Sequence, residues 1–302
     1  MDKSFLNFLP SKILVDILNF ESLEEIRIRI NKRVYLKYFG FEKFLDYKIT
    51  KKEFDEILDD MFLCSRYSYQ DEIINGFITI EGGHRVGITG NVVCKNNKII
   101  NINNINSLNI RIARVAKGVS VLVDRYIVKN NMICNTLIVS IPGQGKTTIL
   151  KDLIRRISDG DINSLDKSLT VGVVDERMEI AANFNGENQT DLGEKTDVIS
   201  NVSKDLGMKM LIRSMAPQVL VVDEIGTKED VEAIKYAVTS GVKGIFTAHG
   251  DSLNNILLNP ILKELLNSSL IERIIFLSKE KKCEIDSVYE NTKEGYIKYA
   301  GN

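Results

Sequence analysis

Apolar residues in the first third of the chain follow two spacings, one typical of helices and one typical of strands. Residues 4–30 predict a helix followed by a strand, and residues 51–66 predict a second, amphipathic helix. Glycine-punctuated, β-rich sequence at 76–93 indicates a sheet that contains a hairpin. The asparagine-rich run 101–106 is interpreted as a loop tip, and a strand follows at 107–115. This part of the chain is therefore predicted to be a small α+β domain.

From residue 136 onward, short and nearly continuous apolar runs alternate with helical segments. Such runs are typical of a parallel sheet that is covered by helices on both faces. The predicted strands are 137–139, 169–174, 219–222, 244–247 and 273–277, and the predicted helices are 146–158, 198–215, 229–239 and 253–268. We therefore predict an α/β protein with an N-terminal α+β domain at 1–118, a linker at 119–135 and a second domain at 136–302.

Composition narrows the class of protein. The 302 residues are 44% hydrophobic and 27% charged, as in soluble globular proteins. Lysine plus arginine (40) nearly balances aspartate plus glutamate (41), so no global field attracts nucleic acid, and no nucleic-acid partner is expected. The four cysteines and two histidines lack the spacing of a zinc site. The N-terminus is too charged for a signal peptide and no apolar run approaches the ~20 residues that span a bilayer, so a cytoplasmic protein that can dock on a membrane protein is expected.

The segment 136–148 carries the strongest chemical signal, because a short apolar strand leads into a glycine-rich turn and then into a helix. Backbone N–H groups of such a turn converge on phosphate, and the helix presents its N-terminus. Lys146 is expected to reach the β- and γ-phosphates and Thr147 to hold Mg²⁺. The usual pattern has glycine where this chain has Ser140, but the half that wraps the phosphate is intact. The predicted nucleotide-binding residues are Pro142, Gly143, Gln144, Gly145, Lys146, Thr147 and Thr148.

Two further apolar strands end in pairs of carboxylates. One is followed by Asp223 and Glu224, and an earlier one ends in Asp175 and Glu176. Because the carboxyl ends of parallel strands meet at one edge of the sheet, these groups are expected beside the phosphate loop. Asp223 is the candidate for the Mg²⁺ shell, and Glu224 is the candidate that polarises a water for attack on the γ-phosphate. Asp175 and Glu176 compete for the role of general base, and the alternative for Asp175 is an ion pair with Arg177 that shapes the strand exit.

One histidine and four arginines complete the candidate set. His249 ends another apolar strand, so we expect it at the same edge, where it senses the γ-phosphate or the nucleotide state. Hydrolysis also needs positive charge on the transition state, and an arginine finger contributes roughly 10³ to 10⁵ in rate. The candidates are Arg85, Arg111 and Arg114 in the first domain and Arg213 in the second, with a surface ion pair as the alternative for each.

The order of these motifs resembles that of the ATPases of type II and type IV secretion and pilus machines. The phosphate loop, Asp175-Glu176, 219–224 and 247–249 (TAH) correspond in order to their Walker A, Asp box, Walker B and His box. The chain is more closely similar to the stage III sporulation protein AA family. The segments that carry this similarity are 82–87 (GGHRVG), 107–113 (SLNIRIA), 174–177 (VDER) and 222–226 (VDEIG), and it extends over roughly residues 70–278.

The resemblance implies a RecA-like P-loop core and a Mg²⁺-dependent ATPase. It implies an enzyme of the mother cell of a spore-forming bacterium that acts with membrane proteins of a channel to the forespore. It also implies a homo-oligomer, a hexameric ring, in which ATP lies between the two domains and arginines of the N-terminal domain complete the site. Arg111 is then the leading finger candidate, ahead of Arg85 and Arg114. The pilus-type acidic strand end usually begins with glutamate, where this chain has Asp175, so the choice of base stays open.

Two other classes of function compete with a secretion-type motor. A nucleotide-dependent nucleic-acid-binding protein is one, because similar P-loop cores occur in chloroplast-encoded and helicase-like relatives. The balanced charge and the absence of a basic aromatic platform in the sequence argue against it. A structural scaffold with an inactive site is the other. The presence of Lys146, Thr147, Asp223 and Glu224 argues against that class.

Overall fold

The chain divides into two compact units. The first unit runs to Arg114 and also takes in Ala182–Gln189, and the second comprises the rest of the chain. Each unit encloses its own hydrophobic core. The computed structural model describes residues 6–17, 20–62, 69–74, 76–114, 116–184 and 186–299.

A six-stranded antiparallel sheet forms the first unit. Its strands are β1 (Leu23–Arg29), β2 (Arg33–Tyr38), β3 (Phe41–Lys48), β4 (Phe77–Ile80), β5 (His84–Lys95) and β6 (Lys98–Arg111), in the sheet order β3-β2-β1-β6-β5-β4. Its helices are α1 (Ser11–Asp16), α2 (Lys51–Met61) and α3 (Gln70–Ile74). The predicted helix and strand within 4–30 and the predicted hairpin at 76–93 are confirmed. Residues 63–66, the end of the second predicted helix, lie outside the described residues.

Helix α2 forms where local signals and burial agree. The Thr50 side chain accepts a hydrogen bond from the Glu53 N–H at 3.2 Å, and the Glu53 carboxylate accepts one from the Thr50 N–H at 2.9 Å. This capping box satisfies two N–H groups that the first turn leaves free. Phe54, Ile57 and Leu58 recur at helical spacing and are buried in the core of the unit.

The asparagine-rich run 101–106 belongs to β6 and is not a loop tip, so that prediction is wrong. The turn of the β5–β6 hairpin lies at Asn96 and Asn97, whose φ values are 50° and 61°. Ile102 and Ile105 are both buried, with an irregularity in the pairing between them. The prediction failed because the turn preference of asparagine was given more weight than the burial of these isoleucines.

An eight-stranded sheet forms the second unit, in the order β13-β10-β14-β15-β9-β16-β17-β18. The strands from residue 128 onward are β7 (Val128–Lys129), β8 (Met132–Ile133), β9 (Thr136–Ser140), β10 (Val171–Asp175), β11 (Asn183–Phe184), β12 (Glu187–Asn188), β13 (Thr196–Ser200), β14 (Val219–Val222), β15 (Lys243–His249), β16 (Arg273–Leu277), β17 (Ile285–Thr292) and β18 (Gly295–Lys298). The helices are α4 (Asp124–Ile127), α5 (Lys146–Asp159), α6 (Lys204–Ser214), α7 (Lys228–Thr239), α8 (Leu253–Leu258) and α9 (Pro260–Asn267).

The sheet is parallel from β13 to β16, and β17 and β18 extend it as an antiparallel hairpin. Both of its faces are covered. In β14, Val219 and Val221 belong to the core cluster that includes α5, whereas Leu220 and Val222 belong to the cluster that includes α6 and α7. The α/β class and the mainly parallel sheet are therefore confirmed, and the uniformly apolar strands follow from burial on both sides.

Two predicted helices have different bounds in the structure. The first residues of the predicted helix 198–215 form the edge strand β13, whose side chains are half-buried, and α6 begins after Ser203. The predicted helix 253–268 is divided at Asn259. The Asn259 side chain accepts a hydrogen bond from the Ile261 N–H at 2.9 Å, and Pro260 occupies the first turn, so a new helix starts there.

The segment Ala182–Gln189 leaves the second unit and packs within the first. It forms the small β11–β12 hairpin, and Phe184 packs against the core of the first unit. The Gln189 side chain accepts a hydrogen bond from the Gly82 N–H at 2.9 Å. The loop after β10, which carries Glu176, therefore continues directly into a piece of the first unit.

Candidate active site

The loop between β9 and α5 has the backbone geometry of a phosphate-binding loop. Gly143 and Gly145 have φ values of 82° and 89°, a region that glycine adopts without strain. Gly145 is the residue before α5, which begins at Lys146. The free N–H groups of the first helical turn therefore open onto the loop, as an anion site requires.

Residues 279–283, between β16 and β17, support this loop from the side of the C-terminal hairpin. The Cys283 N–H donates to the Gln144 carbonyl at 2.9 Å, and the Gln144 side-chain amide donates to the Lys279 carbonyl at 3.1 Å. A Cβ atom on Gly145 would lie 2.3 Å from the Cys283 Sγ. Gln144 thus uses its side chain to hold the loop.

Lys146 is buried and its ammonium contacts the groups around it. Its Nζ lies 3.0 Å from the Ser140 carbonyl, 3.1 Å from the Ser140 hydroxyl and 3.2 Å from Nδ1 of His249. Burial lowers the pKa of Lys146, against the opposing effect of Asp223 and Glu224. The serine that replaces the usual glycine is therefore a direct partner of the lysine.

Asp223 brings the end of β14 to the first turn of α5. Its carboxylate accepts hydrogen bonds from the Thr147 hydroxyl at 3.0 Å and from the Thr247 hydroxyl. No cluster of three or more histidine, cysteine or acidic side chains suited to a metal exists in the described part of the chain. A hydroxyl beside one carboxylate is nevertheless a fitting pair of hard oxygen ligands for Mg²⁺, which keeps several waters and binds substrate phosphates.

Glu224 is held on both sides of its carboxylate. Its Oε2 lies 2.5 Å from Nη1 of Arg177, and its Oε1 lies 3.2 Å from Nε2 of His249. Its backbone has a φ of 58°, and its N–H donates to the Thr247 hydroxyl at 2.8 Å. A left-handed backbone is uncommon for glutamate, so the strand exit is a constrained one.

Asp175 and Glu176 have different surroundings. The Asp175 carboxylate accepts three backbone hydrogen bonds, from the N–H groups of residues 179, 180 and 181 at 2.8 to 3.0 Å. Burial raises the pKa of Asp175, although these hydrogen bonds act in the opposite direction. Glu176 pairs with the nearly buried Lys204 at 2.6 Å. Both carboxylates therefore organise the loop that follows β10, and the ion pair between Asp175 and Arg177 that the sequence left open is replaced by these contacts.

An open cleft of about 340 Å³ lies along the phosphate loop. It brings together most of the residues that the sequence selected. They are Pro142, Gly143, Gly145, Lys146, Thr147, Thr148, Asp223, Glu224 and His249, joined by Arg177 and Glu179.

The family model for sporulation stage III, protein AA, matches residues 6–295. The chain belongs to this family. It is 40% identical over 276 residues to the stage III sporulation protein AA of Bacillus subtilis (strain 168), and the alignment covers 91% of this chain and 88% of that protein. The resemblance that the sequence motifs indicated is thereby confirmed.

The fold of this family member is shown by its similarity to solved structures. The Legionella pneumophila ATPase DotB matches 90% of this chain and 78% of its own, with a TM-score of 0.58 and 13% identity. The pilus retraction motor PilT with bound ADP matches 96% of this chain and 81% of its own, with a TM-score of 0.58 and 14% identity. The predicted RecA-like core is confirmed by this likeness. None of the helices in the described part of the chain has the length and apolarity to cross a membrane.

Three of the four arginines that the sequence proposed as fingers have contacts within their own unit. In the first unit, Arg111 is 3.8 Å from Glu25, Arg114 donates to the Leu23 carbonyl at 2.6 Å, and the guanidinium of Arg85 lies 3.5 Å from the ring centre of Phe77. In the second unit, Arg213 is exposed on α6 and does not line the cleft. Their role as fingers stays a prediction.

Sequence reasoning assigned no role in the site to three residues that the fold brings there. Arg177 pairs with Glu224, Thr247 binds both Asp223 and the Glu224 N–H, and Cys283 packs on the phosphate loop. Arg177 follows Glu176 and Thr247 lies two residues before His249, so proximity along the chain to a selected residue was a usable signal for both. Cys283 follows the loop by 138 residues, and nothing local marks it.

Proposed function

We propose that this sporulation stage III, protein AA, family member is a Mg²⁺-dependent ATPase of the secretion-motor type. The observation that carries the proposal is the meeting of Lys146, Thr147, Asp223 and Glu224 in one cleft beside a helix N-terminus. A lysine, a hydroxyl and two carboxylates in this arrangement are what phosphoryl transfer from a nucleotide uses. The fold of DotB and PilT, named as an ATPase and a retraction motor, supports the same class.

The cleft residues have separate tasks in this proposal. Backbone N–H groups of the phosphate loop and Lys146 bind the β- and γ-phosphates, for which Lys146 leaves its contacts with Ser140. Thr147 and Asp223 would hold Mg²⁺ with their hydroxyl and carboxylate oxygens. When bound, the ion neutralises charge on the phosphate oxygens.

Hydrolysis needs a base for the attacking water, and Glu224 is the best-supported candidate. It takes a proton from the water, whose oxygen bonds to the γ-phosphorus while the bond to the β–γ bridging oxygen breaks, so that ADP and phosphate leave. Asp175 and Glu176, the alternatives, are engaged with backbone N–H groups and with Lys204. His249 touches both Lys146 and Glu224, which suits a sensor of the γ-phosphate.

ATP hydrolysis by the purified chain tests this function. Wild-type protein should bind and hydrolyse ATP with Mg²⁺, and Lys146→Ala should abolish both. Glu224→Gln should bind ATP and turn over at least about 100-fold more slowly, as expected when a positioned base is lost. Glu176→Gln is the matched control and should retain most of the activity. A fully active Lys146→Ala protein would refute the ATPase mechanism. If Glu176→Gln is inactive while Glu224→Gln is active, the general base belongs to the Asp175–Glu176 strand end and is not Glu224.

The finer biological role follows from family membership and is part of the same proposal. We place the protein in the cytoplasm of the mother cell, peripheral at the membrane through protein partners, where it energises or assembles a channel to the forespore. We further propose a hexameric ring in which Arg111, Arg85 or Arg114 completes an ATP site. Relatedness to the Bacillus subtilis stage III protein and the fold of a retraction motor support this role.

A further inference from the structure

Arg177 occupies the cleft at a position that neither the phosphate loop nor the first unit supplies. It lies two residues after the end of β10, and its guanidinium lies 2.5 Å from the Glu224 carboxylate. It lines the same cleft as Lys146 and Thr147. The candidate base is therefore paired with a cation from its own unit.

The backbone that carries Arg177 is held by hydrogen bonds, while its side chain is largely exposed. Asp175, which precedes Arg177, is hydrogen-bonded to the two residues that follow Arg177, and this closes a turn around Arg177. The Asp175 carbonyl accepts a hydrogen bond from the Met178 N–H at 3.2 Å, and the Asp175 carboxylate accepts one from the Glu179 N–H at 2.9 Å. The side chain of Arg177 is 60% exposed. Because hydrogen bonds hold the backbone and the guanidinium is accessible to solvent, Arg177 can change its partner without refolding of the loop.

A bound triphosphate would compete with Glu224 for this guanidinium. Solvent screens an exposed arginine–carboxylate pair, so the exchange of one partner for another costs little. Phosphate oxygens accept the planar guanidinium fork at least as well as a carboxylate does. The exchange would release Glu224 to bind a water at the moment when ATP is present.

We propose that Arg177 is a catalytic arginine acting in cis, which pairs with Glu224 in the nucleotide-free protein and moves to the γ-phosphate of bound ATP. The inference rests on the proposed ATPase function. In the nucleotide-free protein the guanidinium contacts Oε2 of the Glu224 carboxylate. In the ATP complex the guanidinium stabilises the charge that develops on the transferring phosphoryl group.

Kinetics and analogue binding by Arg177→Ala and Arg177→Lys test this role. In Arg177→Ala, kcat should fall by at least about 100-fold, while the affinity for ADP changes by less than about 3-fold, because the lost charge acts on the transition state. Aluminium fluoride, a mimic of the transferring phosphoryl group, should tighten ADP binding in wild type and not in Arg177→Ala. Arg177→Lys should recover only part of kcat, since a point charge replaces the fork. Added guanidinium ion should restore part of the activity of Arg177→Ala, which a merely structural role would not allow.

Arg125→Ala is the matched control, since Arg125 is an exposed arginine of the same unit that stacks on Tyr126. It should behave as wild type. Wild-type kcat in Arg177→Ala, or a raised kcat, would overturn the catalytic role of Arg177 and leave the ATPase function standing. If wild-type protein shows no Lys146-dependent ATP binding or hydrolysis, the ATPase function itself fails, so the two failures are distinguishable.

Discussion

Arg156 and Asp124 form a two-pronged ion pair, in which both guanidinium–carboxylate distances are 2.6 Å. Both side chains are buried, and Arg156 also contacts the Ser120 hydroxyl at 3.2 Å. Asp152, one helical turn before Arg156, accepts hydrogen bonds from the N–H groups of Gly118 and Ser120. The segment that precedes β9 is thus fixed to α5, the helix that begins at the phosphate loop.

Arg156→Ala should therefore destabilise the second unit strongly. Removing one partner leaves a buried charge unpaired, which costs about 3–5 kcal/mol of unfolding free energy. Urea unfolding followed by circular dichroism measures this change. The double variant Arg156→Met with Asp124→Leu should regain much of the loss, because apolar residues of similar size remove both charges. Arg213→Ala, which changes an exposed arginine on α6, is the control and should have the same urea midpoint as wild type. A wild-type urea midpoint for Arg156→Ala would show that the Arg156–Asp124 pair does not stabilise the second unit.

His84 should make the first unit less stable in mild acid. It is 3% exposed, its Nδ1 accepts the Ala113 N–H at 2.9 Å, and burial lowers its pKa from 6.5 to about 4. Between these values the unfolded chain binds more protons than the folded one, so stability falls as the pH drops from 6.5 toward 4. The slope is about 1.4 kcal/mol per pH unit, up to about 3 kcal/mol in total.

His84→Gln isolates this effect, since its side-chain oxygen can still accept the Ala113 N–H. The unfolding free energy of wild type minus that of the variant should fall by about 3 kcal/mol from pH 7 to pH 4, because other titrating groups, such as the half-buried carboxyl of Glu72, contribute equally to both proteins. A difference that stays constant over this range would show that His84 does not titrate in the way its burial implies.

The local parts of this structure were predictable from sequence, and the contacts between distant segments were not. Strand 219–222 and the phosphate loop were placed correctly because an apolar run, a glycine turn and a helical spacing are all read within a few residues. The run 101–106 was misplaced, since burial of Ile102 and Ile105 depends on β5, the partner strand. Strand β13 was missed because an edge strand with half-buried side chains lacks a continuous apolar signal.

The candidate site shows the same division. The glycine-rich turn selected Lys146, and residue types at strand ends selected Asp223, Glu224 and His249; all four line the cleft. The roles of the second acidic pair could not be separated from sequence, because only the fold determines which carboxylate receives backbone N–H groups and which receives a lysine. The pairing of Glu224 with Arg177 likewise depends on β10 and β14 being neighbours in the sheet.

Nucleotide should drive assembly if the ring proposal holds. Mass measurement of the purified chain with Mg²⁺ and a non-hydrolysable ATP analogue should show a hexamer of the 34.1 kDa protomer. Without nucleotide, the fraction of protein in the hexamer should be smaller. Lys146→Ala should show the oligomeric state of nucleotide-free wild type both with and without the analogue. Arg111→Ala should bind the analogue as wild type does and assemble less well or hydrolyse more slowly. A chain that stays monomeric with saturating analogue would contradict the ring.

Gly145→Ala should bind nucleotide more weakly for two separable reasons. The new Cβ would lie 2.3 Å from the Cys283 Sγ, and the φ of 89° is costly for any residue but glycine. We expect the dissociation constant for ATP to rise at least about 10-fold, since a cost near 1.4 kcal/mol already gives that factor. Adding Cys283→Gly removes the clash, and the φ of 60° at Cys283 suits glycine, so affinity should recover in part and not fully.

Isothermal titration of wild type, both single variants and the double variant with ATP analogue and Mg²⁺ completes this cycle. Cys283→Gly alone should bind nearly as wild type, because the backbone hydrogen bond from residue 283 to Gln144 is kept. A coupling free energy between the two positions that differs from zero identifies the contact itself as a determinant of loop geometry. Strictly additive effects would mean that the backbone conformation of Gly145, rather than the packing of Cys283 against it, sets the shape of the phosphate loop.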